Sequence, residues 1–151
     1  MYRNFIVLLL LCVIVSCKKY SEDPYTVIFK SPEKRIEGTW IYNSILINGI
    51  DSTDAIVERD KWGWMFGKDY KTSYLFFSTK FNTTSFLYYW EFSESNKKLM
   101  IVNQNSKNVT KTHWDVGYPV YWEIIALNNK KFKIKSEPIN NNVYEIHFYK
   151  N

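Results

Sequence analysis

The chain has 151 residues, which suits one domain, and its 20 Lys+Arg against 15 Asp+Glu give a formal charge of +5. Its 46% hydrophobic and 19% aromatic content excludes a disordered chain. Two cysteines exclude a disulfide-dense scaffold, and the scarcity of alanine, the best helix former, argues against a helical bundle.

Residues 1–16 have the organisation of a secretory signal. A head carrying Arg3 precedes the unbroken apolar run 5–15 (FIVLLLLCVIV), which is shorter than the about 20 residues that span a bilayer and typical of a signal h-region. Ser16 and Cys17 follow it. An aliphatic residue, a small residue and Cys at this point resemble a bacterial lipobox. That resemblance implies that Cys17 is acylated, for example with palmitate, and becomes the first mature residue.

The lipobox interpretation accounts for both cysteines. Cys12 lies in the discarded signal and Cys17 carries lipid, so the mature body has no thiol for a disulfide, a metal or a nucleophile. Two or three acyl chains make membrane attachment effectively permanent. In enterobacterial lipoproteins, Asp directly after the acylated Cys is the signal for retention in the inner membrane, and here Lys18 follows Cys17. The outer membrane is therefore expected, with the periplasmic face and the cell surface both open.

Residues 17–34 are predicted to form a lipidated tether, because they hold Pro24, Pro32 and several charges and show no helical stripe. A short apolar stretch at 27–29 is expected to add a strand or pack onto the domain. The domain itself is predicted over 35–151, with no second linker or repeat.

Period-two alternation dominates the domain and predicts strands. Seven are expected, at 38–47, 70–80, 83–92, 99–104, 120–127, 132–135 and 143–150, with an eighth if 61–66 is extended. Residues 51–60 are the one place where a helical turn is expected. Asn48-Gly49 is a strong tight-turn pair, since both residues tolerate positive φ.

Short turns between sequential strands predict an all-β, antiparallel meander. Such a sheet must hide its edges, and closing into a small barrel of about eight strands does so. A barrel of that size has room for packed side chains or one small ligand. The alternative architecture is a two-sheet β-sandwich.

Short motifs support this fold. Residues 36–40 (IEGTW), Asn48-Gly49 with Asp51 and Thr53, Trp90-Glu91-Phe92, residues 124–132 and the closing YEIHFYK of 144–150 together resemble the small lipocalin-like lipoproteins of Bacteroidota. The resemblance spans most of 35–151 and implies a lipocalin-like barrel more than an activity, since many members have no assigned function. True lipocalins have an Arg on the last strand that stacks on the Trp of the first strand. Here the last strand has no Arg to stack on Trp40.

An aromatic face is the most suggestive feature for binding. Nine aromatic side chains are expected to point inward: Trp40, Tyr42, Phe86, Tyr88, Trp90, Trp122, Phe132, Tyr144 and Phe148. They would fill a core, each burying 150–250 Å2, or line a pocket for an apolar ligand. The candidate ligand-binding residues are Trp40, Tyr42, Tyr88, Trp90 and Trp122. A second group at 62–66 (WGWMF), if exposed, would form a contact patch.

Other chemistry finds little support. His113 and His147 are the only histidines and His147 is expected to face solvent, so no metal site is predicted. The acidic residues 51, 54, 58 and 60 lack calcium-loop spacing and indicate a solvated loop with Ser52 or Thr53 as a cap. No serine elbow or phosphate loop occurs, so neither an enzyme nor a cofactor is expected.

The lysines lie in turns and at strand ends, not in one cluster, so nucleic-acid binding is not expected. Two functions remain. The first is a lipid-anchored cell-envelope lipoprotein whose lipocalin-like domain binds a small apolar ligand. The alternative is an envelope interaction or inhibitor protein with a solid barrel and no ligand pocket.

Overall fold

The structure is a computed structural model and describes residues 20–23, 30–56, 63–67, 72–79, 82–103 and 119–151, with 72–79, 82–87 and 103 described by their backbone. The predicted signal peptide, Cys17 and the apolar stretch at 27–29 lie outside these residues, and so does the side chain of Phe86.

Nine strands and two short helices follow one another along the described chain. In order they are α1 (Pro32–Ile36), β1 (Gly38–Ile47), β2 (Ile50–Asp51), α2 (Thr53–Ile56), β3 (Gly63–Phe66), β4 (Thr72–Thr79), β5 (Asn82–Ser93), β6 (Lys98–Asn103), β7 (Val120–Leu127), β8 (Lys131–Ser136) and β9 (Tyr144–Lys150). The seven predicted strands and the eighth at 63–66 are confirmed, and α2 lies where a helical turn was expected.

All strand pairs are antiparallel, and the pairing returns to the first strand. From β3 to β9 each strand pairs with the next in sequence. β1 pairs with β3, with Trp40 opposite Trp64, and also with β9, with Ile45 opposite Ile146. Eight strands therefore form a ring, as the predicted barrel requires, while β2 only extends the end of β1.

Period-two alternation sends every second side chain into the barrel. β7 shows this directly, since buried and more exposed residues alternate from Val120 to Ile124. β8 and β9 repeat the pattern, and their inward residues Phe132, Ile134, Ile146 and Phe148 are all buried. The core of the protein is therefore the interior of the barrel.

Gly63 is needed where β3 meets β1. A Cβ at this position would collide with the backbone carbonyl of Trp40. Only a residue without a side chain lets the two backbones approach this closely, so Gly63 sets the contact that places Trp64 inside the barrel.

The helix α1 differs from the prediction, because residues 51–60 were the one place where a helical turn was expected. The Ser31 side chain accepts a hydrogen bond from the Lys34 amide at 3.5 Å, and Pro32 begins the helix, where its fixed φ is favourable. The helix ends before Gly38, whose φ of +108° turns the chain into β1. Five residues are too few to show a helical stripe in the sequence, which is why the pattern missed it.

One end of the barrel is covered by α1 and residues 20–23, and we call it the closed end. It also holds the start of β1, the β5–β6 and β7–β8 turns, and Lys150. Ile36 is fully buried there, and Arg35 donates to the carbonyl oxygen of Leu127 at the end of β7. The opposite end, where the Asn48-Gly49 turn and residues 137–143 lie, we call the open end.

Candidate functional site

All five candidate ligand-binding residues lie inside the barrel. Trp40, Tyr42, Tyr88, Trp90 and Trp122 are at most 5% exposed. Three strands supply them, namely β1, β5 and β7, and Trp64 on β3 contacts Trp122. The expected inward orientation is therefore right for each of them, and the remaining question is whether they fill the interior or line a pocket.

Near the closed end the rings pack against one another. Trp40 contacts Phe132 with ring centroids 5.4 Å apart. Phe132 stacks on Phe148 at 5.2 Å, and Phe148 stacks on Tyr42 at 5.2 Å. These distances are those of favourable aromatic pairs, so this row of four rings forms a solid floor to the barrel.

Trp64 joins that floor to the other side of the barrel. Its indole N–H donates to the Tyr42 hydroxyl at 2.6 Å, and its ring meets the edge of Trp122 at a centroid distance of 6.0 Å. Burial raises the pKa of Tyr42 well above its ordinary value, although the Trp64 hydrogen bond opposes this. The hydroxyl is therefore a neutral polar group within an apolar interior.

Trp90 carries an unsatisfied indole N–H in this interior. Its ring packs edge-on against Phe66 at 5.3 Å and Phe92 at 5.6 Å. The Nε1 atom is buried and has no hydrogen-bond partner among the residues that the structure describes. A buried donor without a partner costs about 1–3 kcal/mol, so this N–H is positioned to gain from any acceptor that enters beside it.

The aromatic group at 62–66 does not form the exposed patch that the sequence suggested. Trp64 and Phe66 are buried, because strand β3 places both on its inward face. Trp62 lies outside the described residues.

Lys150 lies over the Trp40 ring, where a stacking arginine is missing from the sequence. Its Nζ lies 4.9 Å from the centre of the Trp40 ring and donates to the Arg35 carbonyl oxygen at 3.2 Å. The Trp40 indole N–H donates to the Ile36 carbonyl oxygen at 2.6 Å. A cation over the ring and a carbonyl at its edge hold Trp40 as the plug of the closed end.

His147 lies on the outer face of β9, as expected, but its side chain is half-buried. Its Nδ1 lies 3.0 Å from the Ser44 hydroxyl on β1, and its Nε2 lies 2.7 Å from a Glu145 carboxylate oxygen. Sequence reasoning missed this cluster, because Ser44 and His147 are 103 positions apart and meet only through the β1–β9 pairing. Its position on the outer wall, away from the aromatic interior, indicates that it joins the two strands. His113 lies outside the described residues.

The Glu145 carboxylate also binds a lysine on the neighbouring strand β8. Lys133 contacts Glu145 at 3.0 Å and Glu22 at 2.9 Å. Burial alone would raise the pKa of Glu145, but the hydrogen bonds from His147 and Lys133 outweigh it and hold that pKa below its ordinary value. The cluster links residues 20–23, β8 and β9 on the outside of the barrel.

The acidic loop has a structural role at its described part. Asp51 accepts hydrogen bonds from the Thr53 amide and hydroxyl, and the Thr53 hydroxyl accepts from the Ile45 amide at 2.8 Å. Thr53 thus fastens α2 to β1. Glu58 and Asp60 lie outside the described residues.

The outer wall carries an apolar strip across β5, β6 and β7. Tyr89 is 43% and Tyr121 37% exposed, and Val102 and Met100 pair with them on β6. We call these four residues the outer apolar strip.

Within the described ranges, no group of three or more His, Cys, Asp or Glu side chains is placed to hold a metal ion. Among the same residues, none of the helices has the length and apolar character that crossing a bilayer requires.

Comparison with known proteins supports the fold. No family model matches the chain, and no curated protein matches it either. Among solved structures, it is similar to a lipocalin-like protein from Bacteroides uniformis, with a TM-score of 0.59 and 14% identity over 78% of this chain and 99% of that one. At this identity the likeness shows the fold alone, and the fold of this chain is lipocalin-like.

The Glu145 cluster predicts a stability difference that depends on pH. Because the folded-state pKa of Glu145 is lowered, its contribution is present above the unfolded-state pKa and is lost as pH falls through the folded-state pKa. We expect Glu145→Gln to lower the free energy of unfolding by about 1 kcal/mol at pH 7, and by much less at pH 3. Urea unfolding at both pH values measures the difference.

Glu91→Gln is the matched control, because Glu91 is exposed on the outer face of β5. It should change stability little at either pH. A Glu145→Gln effect that stays constant or grows towards pH 3 would show that the carboxylate is not held by these partners.

Proposed function

We propose that the chain is a lipid-anchored lipoprotein of the cell envelope, outer membrane by expectation, whose lipocalin-like barrel binds a small, largely apolar ligand. The proposal has two parts. Anchoring rests on the lipobox at Cys17, and ligand binding rests on the barrel interior.

The observation that carries the ligand-binding part is the buried, unpartnered N–H of Trp90. It lies among Phe66 and Phe92, so a compatible ligand has an apolar body and one hydrogen-bond acceptor. The floor formed by Trp40, Phe132, Phe148 and Tyr42 leaves the open end as the route of entry.

A second function is favoured by a different observation. The outer apolar strip exposes two tyrosines beside Met100 and Val102, and tyrosine and methionine are enriched at protein interfaces. An interaction or inhibitor protein with a solid barrel would use this strip and would not require a ligand.

Anchoring is tested by Cys17→Ala. Without the thiol there is no acyl chain, so we expect the variant to leave the membrane fraction or to stay unprocessed, while the native protein stays with membranes after a high-salt wash. Ser21→Ala, an exposed change close by, should behave as the native protein does. Retention of Cys17→Ala in salt-washed membranes would contradict the anchoring proposal.

Ligand binding is tested with a medium-chain ketone and the alkane of the same length, followed by tryptophan fluorescence of the mature chain. The ketone should bind more tightly, because it gives Trp90 an acceptor worth about 1 kcal/mol, or roughly fivefold in affinity. Trp90→Phe should remove that preference and leave alkane binding nearly unchanged.

Tyr121→Phe, on the outer strip, is the control and should keep the ketone preference. Failure of both compounds to change the fluorescence would contradict the pocket and favour the solid barrel. In that case Tyr121→Ala should weaken capture of an envelope partner.

A further inference from the structure

Residues 20–23 are fixed to the closed end of the barrel. Tyr20 is 2% exposed, and its hydroxyl donates to the Asn96 carbonyl oxygen at 2.9 Å. The Glu22 amide donates to the Ile125 carbonyl oxygen at 3.0 Å. The Asp23 carboxylate accepts from the Leu127 amide at 2.9 Å. Part of the predicted tether is thus in direct contact with the barrel.

This contact limits the distance between the barrel and the lipid anchor. Only Lys18 and Lys19 separate Cys17 from Tyr20, and three residue steps span at most about 11 Å. The barrel itself is roughly 20 Å tall, judged from strand length and tilt. If Cys17 carries lipid, as the proposed function requires, the closed end has to lie against the bilayer.

The charges of the two ends fit this orientation. Five exposed lysines lie at the closed end, in α1 and its approach, in the β5–β6 and β7–β8 turns and at the start of β8: Lys30, Lys34, Lys97, Lys130 and Lys131. Two acidic side chains beside these lysines already have partners. Glu33 accepts a hydrogen bond from Asn96 at 3.2 Å, and Glu94 forms an ion pair with Lys98 at 2.8 Å. Glu37 remains as a further negative charge.

The open end has the opposite character in its described part. Residues 43–56 and 137–144 contain no lysine or arginine. Asp51 and Asp54 are their acidic residues besides Glu137, which pairs with Lys98 at 3.4 Å. An anionic membrane surface attracts lysines within about a Debye length and repels carboxylates.

We propose that the closed end is a membrane-binding surface, whose lysines contact anionic headgroups of the bilayer that holds the Cys17 lipid. The barrel stands on this end, and its open end points away from the membrane. A ligand therefore reaches the barrel from the aqueous side, and the outer apolar strip stands above the bilayer surface.

The test uses the full mature lipoprotein in phosphatidylcholine vesicles with and without 30% phosphatidylglycerol. Since the mature chain has no cysteine besides Cys17, whose thiol is acylated, one added cysteine takes one fluorophore. Asn129→Cys places it in the exposed β7–β8 turn, and Ile50→Cys places it at the open end, where Ile50 is 72% exposed. A spin-labelled headgroup lipid then quenches each probe.

We expect quenching at position 129 to exceed that at position 50 by at least threefold in anionic vesicles. Equal quenching, or stronger quenching at position 50, would overturn the orientation.

The contribution of the lysines is tested with two exposed residues of the same strand. Lys131 lies at the closed-end start of β8 and Lys135 near its other end. Lys131→Gln should lower the quenching ratio about twofold in anionic vesicles and leave it unchanged in neutral ones, whereas Lys135→Gln should change neither. A ratio that is insensitive to both phosphatidylglycerol and Lys131 would overturn headgroup binding.

Mass spectrometry of the N-terminal peptide from the same preparation separates the two proposals. An unmodified Cys17 would refute anchoring and this inference with it. An acylated Cys17 together with equal quenching of the two probes would refute this inference alone.

Discussion

Arg35 brings a permanent positive charge into the closed end of the barrel, and the arrangement of that end depends on how the charge is satisfied. The side chain is only 5% exposed. Its guanidinium contacts the Asp23 carboxylate at 3.3 Å, donates to the Leu127 carbonyl oxygen and lies 5.4 Å from the centre of the Tyr20 ring. A buried charge that loses its partner is strongly destabilising, so Arg35 holds residues 20–23, α1 and the end of β7 together.

The closed end and the aromatic interior are joined by direct contacts. Ile36 follows Arg35 and accepts the Trp40 indole hydrogen bond, and Trp40 begins the row of rings that leads to Tyr42. The residue that fixes the N-terminal segment therefore also positions the floor of the barrel. In a lipoprotein, these contacts would make the orientation of the open end depend on where the anchor lies.

The strands and their inward residues could be predicted from the sequence. A barrel wall has one buried and one exposed face, so every strand alternates apolar and polar residues, and this alternation is visible locally. The inward positions of Tyr88, Trp90 and Trp122 follow from that signal alone. The helix α1 was missed because five residues show no periodicity. The docking of Asp23 on Leu127 and the Ser44–His147 contact were missed because they join residues more than 100 positions apart. The Ser44–His147 contact also depends on the β1–β9 pairing and its bulge between Tyr42 and Ser44.

Residues 20–23 are held in the folded barrel by Arg35. A double-mutant cycle with Asp23→Ala and Arg35→Met, followed by urea unfolding of the mature chain, measures this most directly. We expect Asp23→Ala alone to lower the free energy of unfolding by about 3 kcal/mol and the coupling energy between the two changes to exceed about 1 kcal/mol. Additivity within about 0.5 kcal/mol, with a small cost for Asp23→Ala, would contradict it.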